Sequence, residues 1–178
     1  MAGIIKLSYD LSDVDDFILE AYREVFAFLA QLGQSAYETA VQEGKYNNIT
    51  GNLRSSLGYV ISMDGKIVKE GGFKRIDGRG ENYEKVFFTT RSQKTVQFWA
   101  KGKSGDGSEG SRQGLSYARD LASKHTKGVT LVVVAGMDYA SYVNDIHKLN
   151  VIDTAEAKVI AMLQCCLLYT SDAADDLI

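Results

Sequence analysis

The chain has no proline in 178 residues, and its only two cysteines stand side by side as Cys165 and Cys166. Without proline there is no rigid turn starter, so 17 glycines must punctuate the fold. One adjacent thiol pair excludes both a disulfide framework and a Cys-based zinc site. His125 and His147 are the only imidazoles, neither has a second ligand at metal spacing, and each reads as a surface or loop residue. No stretch approaches the ~20 apolar residues of a spanning helix, and the first ten residues lack a basic start followed by an apolar run. The expectation is a protein made in a cytoplasm with no membrane partner.

The formal charge is −3, but its source is local. The tail at 166–178 (CLLYTSDAADDLI) holds three of the 23 acidic residues and none of the 20 basic ones, so residues 1–165 carry no net charge. That tail resembles the translation of an adapter used in preparing sequencing libraries. It is therefore set aside as a non-native read-through, with the natural product cut off near Gln164 or Cys165. A near-neutral chain lacks the basic excess of an electrostatic nucleic-acid binder, and no specific nucleic acid is expected as a partner. The remaining 165 residues suit one domain.

What is present begins with a helix start at Ser12-Asp13-Val14-Asp15-Asp16, where acids favour the positive end of the helix dipole. Phe17, Ala21, Val25, Phe28, Leu32, Ala36 and Ala40 recur at three and four, which predicts one long helix to about Glu43, ended by Gly44. Gly33 marks a bend or a close contact. Ile18, Tyr22, Phe26 and Leu29 widen the apolar surface, so this helix wants cover from its own sheet and from a neighbouring subunit.

Next comes Thr50-Gly51-Asn52-Leu53-Arg54-Ser55-Ser56-Leu57, with Thr50 expected to cap a short turn and Leu53 and Leu57 on one face. Residues 59–63 and 66–69 flank Asp64-Gly65, the preferred dipeptide of a two-residue hairpin. Residues 71–82 read as a loop, and 85–90 with 95–100 as a second hairpin. The Gly-rich run 102–110 reads as a mobile loop that orders on assembly. A short helix is expected over 115–124, and a buried strand over 129–135. Asp153 with Glu156 resembles a capping box before a short, truncated last helix over 157–163. The fold class is α+β: a long N-terminal helix on a mostly antiparallel sheet, with a short C-terminal helix.

Chemical motifs fail on spacing. Gly102-Lys103-Ser104 has Gln97 where a phosphate loop needs glycine, and Asp106, Ser108 and Glu109 lack the spacing of a calcium loop. No nucleophile elbow is present, and Asp13, Asp15 and Asp16 match a first helical turn better than a pair of general acids. Phe98 and Trp99 beside Lys101 and Lys103 suggest stacking on single-stranded nucleic acid, and a small nucleic-acid-binding module is the alternative reading. Tyr139, Tyr142 and Val143 are expected to pack against the long helix. No catalytic residue, metal site or cofactor is predicted.

The order "long helix, T-G-x-L-R-x-S-L, hairpin, later strand, Y-A-x-Y-V", carried here by Thr50–Leu57 and Tyr139–Val143, resembles the tail-completion (head-tail joining, neck or minor capsid) proteins of long-tailed bacteriophages. The resemblance covers roughly residues 13–73 and 129–164. Asn144 stands where family members often have an acid, and Asn47-Asn48-Ile49 where they often have proline before T-G. It implies a virion structural protein, not an enzyme, that forms a ring with copies of itself between head-connector and tail-tube proteins. Thr50, Gly51, Leu53, Arg54, Tyr139, Tyr142 and Val143 are the assembly candidates, with Arg54 expected in an ion pair within the protomer or across its boundary.

Overall fold

The computed structural model describes residues 12–78, 83–89, 95–101, 105–146 and 148–175. The elements are helix α1 (Ser12–Glu43), a one-turn helix α2 (Asn52–Ser55), strands β1 (Leu57–Met63) and β2 (Lys66–Gly72), strands β3 (Tyr83–Thr89) and β4 (Thr95–Lys101), helix α3 (Ser108–Lys124), strand β5 (Val129–Ala135), a π-helical turn at Tyr142–Ile146, and helix α4 (Asp153–Asp175). This is α+β, as expected.

Strand β1 is the centre of a three-stranded antiparallel sheet ordered β2-β1-β5, and β3 pairs with β4 in a separate hairpin. The Asp64-Gly65 turn has both residues at positive φ, the geometry a two-residue hairpin requires. Within the three-stranded sheet only β1 is buried, from Leu57 to Ser62; β5, expected to be a buried strand, is a half-buried edge.

Alternation along β1 divides the core into two layers. Leu57, Tyr59 and Ile61, with Leu131 and Val133 of β5, face α1 and α4. Val60, with Val132 and Val134, faces Leu115, Ala118 and Ala122 of α3. The sheet is therefore sandwiched between α1 with α4 on one side and α3 on the other.

Helix α3 begins at Ser108, seven residues earlier than the sequence predicts, and takes up the end of the Gly-rich run. The reason is packing. A Cβ at Gly110 would overlap the Asn52 carbonyl oxygen, and one at Gly114 the Ser56 carbonyl oxygen, so glycine lets α3 lie directly on the α2–β1 backbone. Ala118 and Ala122 continue the stripe, both fully buried. Asp106, considered as a calcium ligand, instead accepts hydrogen bonds from the Ser108 amide at 3.1 Å and hydroxyl at 2.7 Å, steadying the first turn of α3. The two Ser108 bonds hold its carboxyl below the usual carboxylate pKa. Residues 102–104 and 91–94 lie outside the described residues, as does His147; His125 is exposed at the end of α3.

Helix α1 spans the predicted range. From Phe26 onward its apolar face packs on the core, with Leu32 and Ala36 fully buried. A Cβ at Gly33 would strike the Tyr59 ring, which makes this glycine a close-contact position. The first half behaves differently: Val14, Phe17, Ile18, Leu19, Tyr22 and Val25 are all exposed, Phe17 to 75%. The stripe continues in sequence, and the cover does not.

Helix α4 runs to Asp175, beyond the predicted Leu163, with Cys165 and Cys166 exposed. Its start is not the expected capping box: the Asn150 side chain accepts from the Thr154 amide at 3.0 Å, and Asp153 accepts from Asn144 at 2.8 Å. Among the described residues, no helix is long and apolar enough to cross a membrane.

Candidate functional site

The segment joining α1 to α2 turns through Gly51, whose φ of 80° is left-handed. A side chain there would also overlap the Ile76 carbonyl oxygen, so both conformation and space demand glycine. Gly51, not Thr50, stands at the N-cap of α2; the Thr50 hydroxyl only approaches the Asn52 amide, at 3.5 Å. Ser55 fixes the junction to the returning chain by accepting from the Ile76 amide at 2.8 Å.

The chain after β5 comes back to this junction. A cavity of about 550 Å³ opens between the two, lined by residues 46–53 on one side and by Tyr139, Val143 and Leu149 on the other. The two motif runs, some eighty positions apart in sequence, thus meet. Thr50, Gly51, Leu53, Tyr139 and Val143 line the cavity.

Arg54 lies behind the wall. It donates to the Gly44 carbonyl oxygen at 3.1 Å, just past the last residue of α1, and its guanidinium sits 5.4 Å from the centre of the Tyr46 ring. Within the protomer this corrects the expected ion pair: among the described residues Arg54 meets no carboxylate of its own chain, and its cation serves the negative end of α1 and an aromatic face. Tyr46 is buried, and its hydroxyl has no hydrogen-bond partner among the described residues. Burial pushes its pKa up to about 12, while the nearby Arg54 charge pulls the other way.

Tyr139 and Tyr142, expected to pack against the long helix, are 41% and 56% exposed. Val143, in the π-helical turn, packs on the core while Tyr142 of the same turn stays on the surface, and Tyr139, in the turn before it, borders the cavity. Partial burial still raises the Tyr139 pKa, with the Thr50 hydroxyl opposing it. Tyr142 is not part of the cavity wall.

Sequence reasoning missed Asn144. Its carbonyl oxygen accepts from the amides of Val151 at 2.8 Å and Ile152 at 3.5 Å, and its amide nitrogen donates to Asp145 and Asp153. One side chain therefore ties the π-helical turn to α4. An acid here, as the family pattern would have it, would set three carboxylates together and lose both donors. No local signal marks this role: Asp145 is adjacent, but Asp153 comes within reach only through the fold.

The cavity wall contains no Asp, Glu, His, Lys or Cys. It offers tyrosine, threonine and asparagine groups over an apolar floor, a surface suited to hydrogen bonding and shape. Of the residues behind the nucleic-acid alternative, Phe98, Trp99 and Lys101 belong to β4, and Lys103 lies outside the described residues. No group of three or more metal-ligating side chains occurs among the described residues. Compared with known proteins, the chain matches no family model, no curated protein and no solved structure.

Proposed function

We propose that this chain is a tail-completion or neck-type protein of a long-tailed phage, located in the virion, which assembles with copies of itself into a ring between head connector and tail tube. The observation that carries the reading is the meeting of the Thr50–Leu53 stretch with Tyr139 and Val143 around one cavity with no Asp, Glu, His, Lys, Arg or Cys in its wall. That arrangement favours contact over catalysis. The exposed apolar half of α1 adds to it, since an apolar patch of this kind marks a protein–protein surface.

The test is the solution mass of the full chain by light scattering over a concentration series, in reductant to keep Cys165 and Cys166 from crosslinking, with and without a purified tail-tube protein. Discrete ring-sized or partner-dependent assembly is expected. A strict monomer that ignores the partner and binds DNA in a salt-dependent way supports the nucleic-acid-binding module instead.

A further inference from the structure

The exposed half of α1 is a two-sided object. At 100° per residue, Val14, Phe17, Ile18, Tyr22 and Val25 form one stripe, and Glu24 and Asp15 border it on opposite sides. Residues 14–25 hold four acids and one base, and that base, Arg23, is engaged by Glu20 at 3.4 Å. The result is an apolar ridge with acidic margins, standing clear of the fold.

The opposite character lies elsewhere on the same chain. Strand β2 is a sheet edge, exposed throughout Lys66–Glu70. Ile67 and Val68 are 43% and 48% exposed, and Lys66 and Lys69 bracket them. Glu70, the one acid of this run, is held by Arg119 in a two-oxygen salt bridge, which leaves the lysines as the local excess. Lys66 and Lys69 lie opposite Met63 and Ile61 and so share one side of the edge, Ile67 lies opposite Ser62 on the other side, and Val68 stands at a bulge between them; a helix laid along the edge meets both sides.

We infer that residues 14–25 of one copy dock along Lys66–Glu70 of the next, apolar ridge on Ile67 and Val68, acids against Lys66 and Lys69. This rests on the self-assembly reading and names its interface. Because helix and strand are different surfaces of one protomer, the contact is heterologous. Each protomer gives its helix to one neighbour and takes a helix from the other, a geometry that closes into a ring when the rotation permits.

The experiment uses the full chain in reductant, with mass measured by light scattering and folding checked by circular dichroism. Phe17→Asp removes the ridge, and Lys66→Glu with Lys69→Glu reverses the strand. Each is expected to weaken assembly by on the order of tenfold or more, as loss of a central interface anchor does. Adding Glu20→Lys and Glu24→Lys, the acids of one margin of the ridge, to the strand-reversed chain is expected to restore assembly. Mixing the Phe17→Asp chain with the strand-reversed chain is expected to give one-to-one dimers and nothing larger, since each retains only one half of the contact. If the unaltered chain assembles and all these variants assemble equally well, the docking inference is overturned and the assembly reading stands. A chain that stays monomeric at every concentration, alone and with the tail-tube protein, overturns both.

Discussion

Helices α1 and α3 cover opposite faces of the same three strands by different means. On the α3 side, contact is made by absence: Gly110, Gly114, Ala118 and Ala122 bring the helix backbone down onto that of α2 and β1. On the α1 side, Leu32, Tyr37, Leu57, Tyr59 and Ile61 interdigitate, and α4 closes the layer. A face built from large side chains loses stability in proportion to what is removed. One built from glycine has no slack for anything added.

The contrast is sharpest in substitutions. Gly114→Val puts branched carbon into the Ser56 carbonyl and is expected to exceed ~4 kcal/mol, the range reserved for gross core damage, leaving little folded protein by circular dichroism. Leu32→Ala, at a fully buried site opposite, is expected to cost ~2–5 kcal/mol in urea unfolding while leaving the fold intact. Should Gly114→Val unfold no more readily than Leu32→Ala, the backbone contact of α3 would be wrong.

Two smaller effects test what holds the α1 side together. Asn144→Asp is expected to lower stability by ~1–3 kcal/mol at neutral pH, through two lost donors and a third carboxylate beside Asp145 and Asp153. The deficit is expected to shrink as pH falls and those carboxyls protonate. Buried Tyr46 has a pKa raised to about 12. A group whose pKa is raised on folding contributes stability that is full below its unfolded value, about 10 for tyrosine, and is lost as pH climbs through the folded value. Ultraviolet absorbance titration is expected to show one tyrosine ionising late, and Tyr46→Phe is expected to remove that step. Smallest of all, Phe17→Asp is expected to change the unfolding free energy of the monomer by no more than ~0.5 kcal/mol, since the ring is largely exposed among the described residues.

Much of this was legible in the sequence where periodicity or turn chemistry governs. The limits of α1 and both hairpins follow from local rules. The first turns of α3 were not, because Gly107, Gly110 and Gly114 read as breakers unless the opposing backbone is known. The starting cap of α4 was hidden for a similar reason: Asp153 looks like a cap in isolation, and its partner Asn144 is nine positions back across a loop. Likewise, the spacing that defines the α1 stripe says which side is apolar and not where the cover stops. The Thr50 and Tyr139 runs could be picked out, but that they share a cavity depends on how β5 returns beside β1.

That return has a kinetic side. The β1–β2 hairpin pairs residues close in sequence, whereas every β1–β5 pair joins positions 66 to 78 apart. The hairpin therefore forms first, and β1 waits with one edge and both faces open until β5 arrives, a long loop closure that slows folding. During that interval the free edge of the most buried strand of the sheet is a template, the kind of edge to which other chains add. On the ribosome, β5 begins 66 positions after the end of β1, so the vulnerable interval lasts at least as long as that stretch takes to synthesise.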